Sequence, residues 1–283
     1  MPRTLRPGQR SELYVVDVGT GARRLVHCSA TLLFEAPNWS PDGDLLVNGD
    51  GRLWRLHDDE LHEIDLGGVP PINNDHVLSP DGTTIYVSAD DGHLYAVPLG
   101  DGTPRRVSND RGPGFRHYLH GVSPDGRTLA YIGLEHVDGR RIANVWTIPA
   151  AGGADVQLTD DEHADDGSEY GPDGKWIYFN SERAGHAQLF RIAVGTGEAE
   201  QLTSDERVNW FPHPAPDGSA IAYVSFPPGT EGHPADVDDV RIRLLAPDGE
   251  VREVVTLFGG QGTMNVPSWS PDSRSFAYVA YPL

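Results

Sequence analysis

Short stretches in which hydrophobic and polar positions alternate recur along the whole chain, and six of them follow the same turn phrase. They lie at residues 45–47, 85–87, 129–132, 177–179, 221–224 and 276–279. Alternation of this kind is typical of a β-strand with one buried face. The chain is therefore predicted to consist of many short strands and not of long helices.

A Pro-Asp-Gly phrase precedes each of these strands, with Ser273 replacing the glycine in the sixth copy. Pro presets the backbone of a tight turn, Asp hydrogen-bonds to nearby backbone, and Gly accepts the conformation that ends the turn. The copies are 39 to 55 residues apart, at Pro41, Pro80, Pro124, Pro172, Pro216 and Pro271. A repeat of this length indicates an array of one supersecondary unit.

Each repeat reads as a short strand before the phrase, the alternating strand after it, and two further strands. Four antiparallel strands repeated six times predict an all-β, six-bladed β-propeller formed by one domain, residues 1–283. Only one strand pattern follows the sixth phrase, at 275–281, whereas two patterns without a phrase occur at 12–18 and 23–27. We therefore expect the N-terminal strands to complete the last blade and close the ring.

Composition and charge narrow the classes of partner. The chain carries 42 acidic and 22 basic residues, a formal net charge of −20. Such a surface repels phosphate backbones, so no nucleic-acid partner is expected. No apolar run approaches the length of a membrane span, so no membrane partner is expected. The first ten residues are basic without a following apolar stretch, which favours a cytoplasmic location.

The strand before each phrase is the innermost strand of its blade and lines the central channel of a propeller. In four repeats this strand carries a side chain suited to chemistry: His76, His120, Glu169 and His213. Imidazoles and a carboxylate around one axis are typical of a divalent metal site, here with His76, His120 and His213 as ligands. They are equally typical of acid–base catalysis by His120, His213 and Glu169. Polar channel residues that only bind water are the structural alternative.

Further polar side chains are predicted to bind a ligand at the channel. Four of them neighbour the inner strands or precede the sixth phrase: Asn74, Asn209, Gln261 and Asn265. Glu182 and Arg183 occupy a hairpin that should open beside the channel and contact a ligand there, although a solvated hairpin tip with an ion pair is the favoured explanation. The longest insertion, 227–239, is either a lid that brings His233 over the channel or a mobile connection.

The repeats resemble those of the TolB-like β-propeller family, also called PD40 or WD40-like repeats. The resemblance rests on segments such as 36–43, 174–181 and 266–272 and covers nearly the whole chain. It implies the propeller fold and, among its members, protein docking in an envelope system, gating domains of peptidases, and sugar-acid lyases. A Gly-x-Ser-x-Gly nucleophile motif is absent from the sequence, so peptidase chemistry is excluded from this chain.

Two functions follow from these observations. In the first, the chain is a soluble binding or interaction protein that holds a small polar ligand, a carbohydrate or one divalent metal ion in its channel, or a protein partner on its face. In the second, it is a metal-dependent enzyme acting on a sugar acid or oligosaccharide. The segment 210–214 resembles the His-Pro element of oligogalacturonate lyases, which implies metal binding by His76, His120 and His213. The sequence leaves open whether the protein is an enzyme.

Overall fold

The fold is built almost entirely of β-strands, separated by tight turns. The computed structural model describes residues 3–283. Within these residues the one helical element is a single 3-10 turn, Glu182–Ala184. The strands in chain order are β1 (Ser11–Asp17), β2 (Arg23–Ser29), β3 (Glu35–Trp39), β4 (Leu45–Gly49), β5 (Arg52–His57), β6 (Glu60–Ile64), β7 (Ile72–Leu78), β8 (Thr84–Ala89), β9 (Leu94–Pro98), β10 (Arg105–Arg106), β11 (Arg116–Val122), β12 (Thr128–Val137), β13 (Arg140–Pro149), β14 (Val156–Gln157), β15 (Asp165–Tyr170), β16 (Trp176–Ser181), β17 (Gln188–Ala193), β18 (Ala199–Gln201), β19 (Val208–Pro214), β20 (Ile221–Phe226), β21 (Val237–Leu245), β22 (Val251–Gly259) and β23 (Ser275–Ala280).

The strands form six antiparallel sheets, which confirms the predicted six-bladed β-propeller. Five blades are consecutive four-stranded meanders: β3 to β6, β7 to β10, β11 to β14, β15 to β18, and β19 to β22. In each of them the strand before the Pro-Asp-Gly phrase is innermost. The meander arises because every turn is short enough to return the chain beside the strand it has just left.

The sixth blade joins the two ends of the chain. Strand β1 pairs with β23 from Glu12 opposite Ala280 to Asp17 opposite Ser275, and β2 pairs with the outer side of β1. The inner segment of this blade touches β23 through the bridge between Trp269 and Phe276. The prediction that the N-terminal strands complete the last blade is confirmed, and the closure leaves β23 with partners on both sides.

The repeated turn phrase forms a hydrogen-bonded ring at one end of the channel. In the second copy the Asp81 carboxylate accepts hydrogen bonds from Ser79 Oγ at 2.6 Å and from the Thr83 backbone at 3.0 Å. Gly82 has a φ of +70°, where a side chain would be strained. Its position for a Cβ lies 3.0 Å from Pro41 of the preceding copy. Neighbouring turns therefore touch, and the six motif prolines encircle the channel.

A bulge interrupts the inner strand of each of the first five blades. The register shifts between Glu35 and Asn38 in β3 and between Trp210 and His213 in β19, with equivalent shifts in β7, β11 and β15. Two bulge residues, Ala36 and Phe211, have positive φ, at 54° and 55°. A bulge re-aims the side chains around it, so these strands do not simply alternate between channel and blade.

The apolar core lies mainly between neighbouring blades. One cluster joins Trp210 and Val224 of the fifth blade to Phe276 and Tyr278 of the sixth, and all four side chains are buried. This packing fixes the angle between blades and thereby the positions of the inner strands. Among residues 3–283, no helix has the length and apolar character needed to cross a membrane.

Candidate functional site

The channel has two chemically different ends. At the motif end lie the six Pro-Asp-Gly turns, and at the opposite, loop end the inner strands begin. A cavity of about 220 Å³ opens at the loop end, which we call the loop-end cavity. It is lined by Asn73, Asn74, Asp75, Tyr118, His120, Ile132, Arg141, Asp166, Phe211, His233, Gln261 and Asn265.

Five of the residues singled out in the sequence meet in the loop-end cavity, namely Asn74, His120, His233, Gln261 and Asn265. They come from different blades and from the segment before the sixth phrase, so only closure of the ring brings them together. The cavity combines amides, carboxylates and imidazoles with aromatic walls from Tyr118 and Phe211. Such a mixture is typical of small-molecule sites, in which a few polar groups orient the ligand.

His120 is the central charged group of this cavity. Its Nε2 lies 3.0 Å from Asp166 Oδ1, and its Nδ1 lies 3.1 Å from the backbone oxygen of Asn265. Both ring nitrogens face acceptors, so the doubly protonated ring satisfies both contacts. Burial disfavours the charged ring, but the carboxylates of Asp75 and Asp166 outweigh burial and raise the pKa of His120 to about 9.

Asp166 carries the matching negative charge. Burial opposes its ionised form, yet the hydrogen bond and charge of His120 lower the pKa of this carboxyl to about 2. Its amino-terminal neighbour Asp165 is tied to Arg183, whereas Asp166 faces the cavity. The cavity therefore contains a fixed imidazolium–carboxylate pair at neutral pH.

Asp75 is a second carboxyl in the cavity, and it has a different protonation behaviour. It is only 4% exposed, and burial raises its pKa to about 6 despite the opposing charge of His120. One oxygen accepts a hydrogen bond from Asn73 Nδ2 at 2.7 Å. A carboxyl that titrates near neutrality can both accept and donate a proton. Together with the imidazolium of His120, which stabilises negative charge, Asp75 gives the cavity the groups needed for proton transfer.

His233 closes one side of the cavity. It lies on the long loop between β20 and β21, and its ring packs against Trp210 with a centroid distance of 4.5 Å. Its Nε2 is 3.6 Å from Asp166 Oδ2, and burial lowers its pKa. The loop thus brings His233 to the loop-end cavity.

The N-terminal segment holds this loop in place. Arg3 donates to Glu35 Oε1 at 2.9 Å and to Asp236 Oδ1 at 3.0 Å. Gln9 Nε2 donates to the same Asp236 oxygen at 2.8 Å. Gly260 lies under the loop, where a Cβ would overlap the carbonyl oxygen of Pro234. The lid is therefore fixed both by ion pairs and by a close backbone approach that only glycine allows.

His213 and Glu169 form a separate pair deeper in the channel. His213 Nδ1 lies 2.6 Å from Glu169 Oε2, and its Nε2 lies 3.1 Å from the backbone oxygen of Met264. Burial raises the pKa of Glu169 in spite of the neighbouring imidazole. Glu169 lines a different cavity, of about 380 Å³, at the motif end. We call this space the motif-end cavity; the bulge in β15 directs Glu169 there and Asp166 to the loop end.

His76 does not join the other two histidines. Its side chain is completely buried, and burial lowers its pKa to about 3. Within residues 3–283 neither of its ring nitrogens has a hydrogen-bond partner, and it does not line the loop-end cavity. No group of three or more His, Cys, Asp or Glu side chains in the described chain is placed to hold a metal ion. As arranged here, the three predicted ligands do not fit a common metal.

The remaining predicted ligand-binding residues make contacts within the protein. Arg183 forms ion pairs of 3.1 Å with both Asp161 and Asp165, and the Asp165 side chain is fully buried. Asn209 is completely buried and donates to Gln188 Oε1 at 3.1 Å. Glu182, Arg183 and Asn209 do not line the loop-end cavity as described, so their ligand-binding role stays a prediction.

Sequence reasoning missed the two acidic residues that matter most to the electrostatics of the cavity. Asp75 lies between the predicted residues Asn74 and His76, and Asp166 lies three positions before Glu169, all in the inner strands. In a strand of strict alternation, residues separated by one or three positions point to opposite faces, so Asp75 and Asp166 would have pointed into the blade. The bulges in β7 and β15 remove that alternation. Nothing in the sequence marked Arg141 as a site residue, because it lies on β13, the third strand of its blade, and not on an inner strand.

Comparison with known proteins places the chain among propellers of one type. A family model described as the TolB beta propeller domain, PD40, matches residues 120–246. An uncharacterized protein of Agrobacterium fabrum is 40% identical over 282 residues, covering 96% of this chain and 92% of that protein. The structure of a TolB-like protein from Agrobacterium tumefaciens superposes with a TM-score of 0.89 at 39% identity, covering 97% of this chain and 99% of the other.

A more distant structure shares the fold alone. It is an oligogalacturonate lyase in complex with manganese, with a TM-score of 0.60 and 16% identity, covering 91% of this chain and 75% of that chain. At this level of identity the likeness concerns the arrangement of blades and does not transfer a site.

Proposed function

Because the chain belongs to the family of TolB-like β-propeller proteins, we propose that it is a binding protein that holds a small polar ligand in its loop-end cavity. The observation that carries this proposal is the buried His120–Asp166 pair, 3.0 Å apart, facing a cavity whose lining also includes four side-chain amides. Burying a charged pair inside the channel costs free energy. A role in orienting a ligand would explain why the pair is there.

The size and chemistry of the cavity favour a hydroxylated anion no larger than a single sugar ring. Cavities for drug-sized molecules measure roughly 300 to 1,000 Å³, whereas this one measures about 220 Å³. Hydroxyl groups both donate and accept, as do the side-chain amides of Asn73, Asn74 and Gln261. At neutral pH the charges of His120 and Arg141 offset those of Asp75 and Asp166, so a carboxylate on the ligand would pair with Arg141 at the rim. A sugar acid combines these features.

Titration calorimetry tests this proposal with D-galacturonate, D-galactose and acetate as probes. We expect galacturonate to bind more tightly than either of the others, because it alone carries both hydroxyls and a carboxylate. His120→Gln should weaken binding at least tenfold, whereas His136→Gln, on an exposed part of β12, should leave it unchanged. A ligand at one hundred times its Kd should also stabilise the fold by about 2.7 kcal/mol. The proposal fails if none of the probes binds at concentrations on the order of 10 mM.

A metal-dependent lyase is the second candidate, supported by the fold shared with the manganese-bound oligogalacturonate lyase. His120 and His213 lie near one another, against the consecutive carbonyls of Asn265 and Met264. Each of them already uses both ring nitrogens, so metal binding would require these contacts to rearrange. We therefore derive no step through a metal.

Elemental analysis and a product assay separate the two candidates. The lyase is favoured if the purified protein carries a stoichiometric divalent metal that a chelator and His120→Ala both remove, and if oligogalacturonate yields an absorbing unsaturated product. Protein without bound metal that binds galacturonate and forms no product supports the binding function. A protein partner on the propeller face remains compatible with ligand binding, since the loop-end cavity occupies only the mouth of the channel.

A further inference from the structure

The motif-end cavity is a second built site, and it lies at the opposite end of the channel from the loop-end cavity. Its volume is about 380 Å³, and its wall contains the six motif prolines together with Trp39, Tyr170 and Trp269. These three aromatic residues stand two positions before a motif proline. The wall is therefore largely apolar and rigid, and it contains aromatic rings, which as a class attract cations.

The floor of the cavity presents hydrogen-bond acceptors. Asn38 is only 3% exposed; its Nδ2 donates to the Pro267 backbone oxygen at 2.6 Å, and its Oδ1 has no partner among residues 3–283. Glu169 also lines this cavity. Its carboxylate oxygen Oε2 contacts His213, and its side chain stays 9% exposed. A buried acceptor without a donor is unfavourable, so Asn38 Oδ1 favours a ligand that brings an N–H group.

The turns that form the motif end carry exposed aspartates. Each turn phrase contributes one exposed aspartate, namely Asp42, Asp81, Asp125, Asp173, Asp217 and Asp272. Hydrogen bonds from the preceding serines and from backbone N–H groups lower the pKa of Asp81, Asp125 and Asp272, so these carboxylates stay ionised at neutral pH. Exposed arginines lie 3.6 to 4.0 Å from three of the six: Arg55, Arg127 and Arg274. Neither these arginines nor the six aspartates line the cavity wall; Asp42 and Asp81, and likewise Asp173 and Asp217, line grooves between neighbouring blades. Six carboxylates against three arginines still give the turns an excess of negative charge, which favours a cation near this end of the channel.

We propose that the motif-end cavity binds an alkylammonium group carried on an apolar stem. The ammonium donates to Asn38 Oδ1 and to Glu169, and the stem lies against the prolines and the aromatic rings. An ammonium has three donors and no acceptor, which matches a floor that offers acceptors. An anion would meet Glu169 in the cavity and the negative charge of the surrounding turns, and a neutral alcohol would lack the charge that both of these attract.

The test uses the full chain with n-pentylamine and n-pentanol, which share a stem and differ in charge. Calorimetry and tryptophan fluorescence should both detect pentylamine, with pentanol at least tenfold weaker. Glu169→Gln should weaken pentylamine at least tenfold, whereas Glu60→Gln, which removes the same charge at an exposed strand end, should change it less than twofold. Where Glu169→Gln does not fold, as judged by circular dichroism, Asn38→Leu provides the same comparison.

Two further measurements identify the source of the ammonium group and the cavity in which it binds. Nα-acetyl-lysine methylamide binding more tightly than pentylamine indicates a lysine side chain of a protein, and the reverse order indicates a free amine; either order supports an alkylammonium site. D-galacturonate, the probe for the loop-end cavity, should not displace the amine, so failure of one proposal is distinguishable from failure of the other. Equal binding of amine and alcohol, or an equal effect of Glu169→Gln and Glu60→Gln, overturns the proposal, since the amine would then bind diffusely to the acidic surface.

Discussion

Raising the pH through the alkaline range should remove a specific part of the stability of this protein, because His120 is held in its charged form. The pKa of His120 rises from 6.5 to about 9 on folding. One pKa unit corresponds to about 1.4 kcal/mol, so the charged ring contributes about 3 kcal/mol to the free energy of unfolding. For a raised histidine pKa this contribution is complete below pH 6.5 and is lost as the pH rises through 9.

The window between pH 7 and 9.5 isolates this effect. Asp75, whose pKa is about 6, has finished titrating below the window. Urea unfolding followed by tryptophan fluorescence should show the free energy of unfolding fall by about 2.4 kcal/mol across the window, because a small part of the contribution is already lost at pH 7. His120→Gln should abolish the fall. His57→Gln is the matched control, because His57 also has a raised pKa, through its contact with Asp44, but is exposed.

The physical account of the site is refuted if the wild-type protein is equally stable at pH 7 and pH 9.5, or if His120→Gln declines in parallel with it. A direct check is the titration of the His120 ring by nuclear magnetic resonance. Asp166→Asn should lower the measured pKa of His120, since burial remains while the hydrogen bond to a charged carboxylate is lost.

Three further predictions concern the lid and the closure of the ring. Gly260→Ala should displace the lid, because the new Cβ overlaps the Pro234 oxygen, and should therefore speed proteolysis at 227–236. Gly100→Ala is the control: its new Cβ meets open space, so proteolysis should not change. Asp236→Asn removes the ion pair with Arg3 and should speed the same cleavage, while the urea concentration at the midpoint of unfolding should change only slightly. A large loss of stability would contradict a local role for this ion pair. Leu13→Ala in the closing strand β1 should lower the free energy of unfolding by about 2–5 kcal/mol. Leu25→Ala in β2, where the leucine is 48% exposed, should lower it by less than about 1 kcal/mol. Similar losses for the two variants would show that β1 does not carry core packing.

Much of the fold was predictable because its determinants are local. A turn phrase such as Ser79 to Gly82 specifies a tight turn through its own hydrogen bonds, and the alternating strand after it specifies which face is buried. Counting the phrases therefore predicted six blades. The unmatched strand patterns near the N-terminus predicted the pairing of β1 with β23, since every strand of a closed ring needs a neighbour.

The candidate site was predictable only in part. Because inner strands line the channel of any propeller, the sequence alone pointed to His120, Asn74 and Asn265, and to His233 on the longest loop. It also grouped Glu169 and His213 with them, although Glu169 lines the motif-end cavity and His213 pairs with it deeper in the channel. No pattern in the sequence indicates how far along the channel axis a side chain lies.

The repeat, the blade number and the closing strands were determined by the sequence itself, because each rests on interactions between residues close along the chain or on an unmatched strand pattern. Which carboxylate meets which imidazole was decided by the tertiary structure. Asp166 and His120 lie on different blades, and a bulge in β15 turns Asp166 to one end of the channel and Glu169 to the other. A bulge depends on packing against the neighbouring blade, as Gly167 against Phe211 shows, and alternation along one strand does not reveal it.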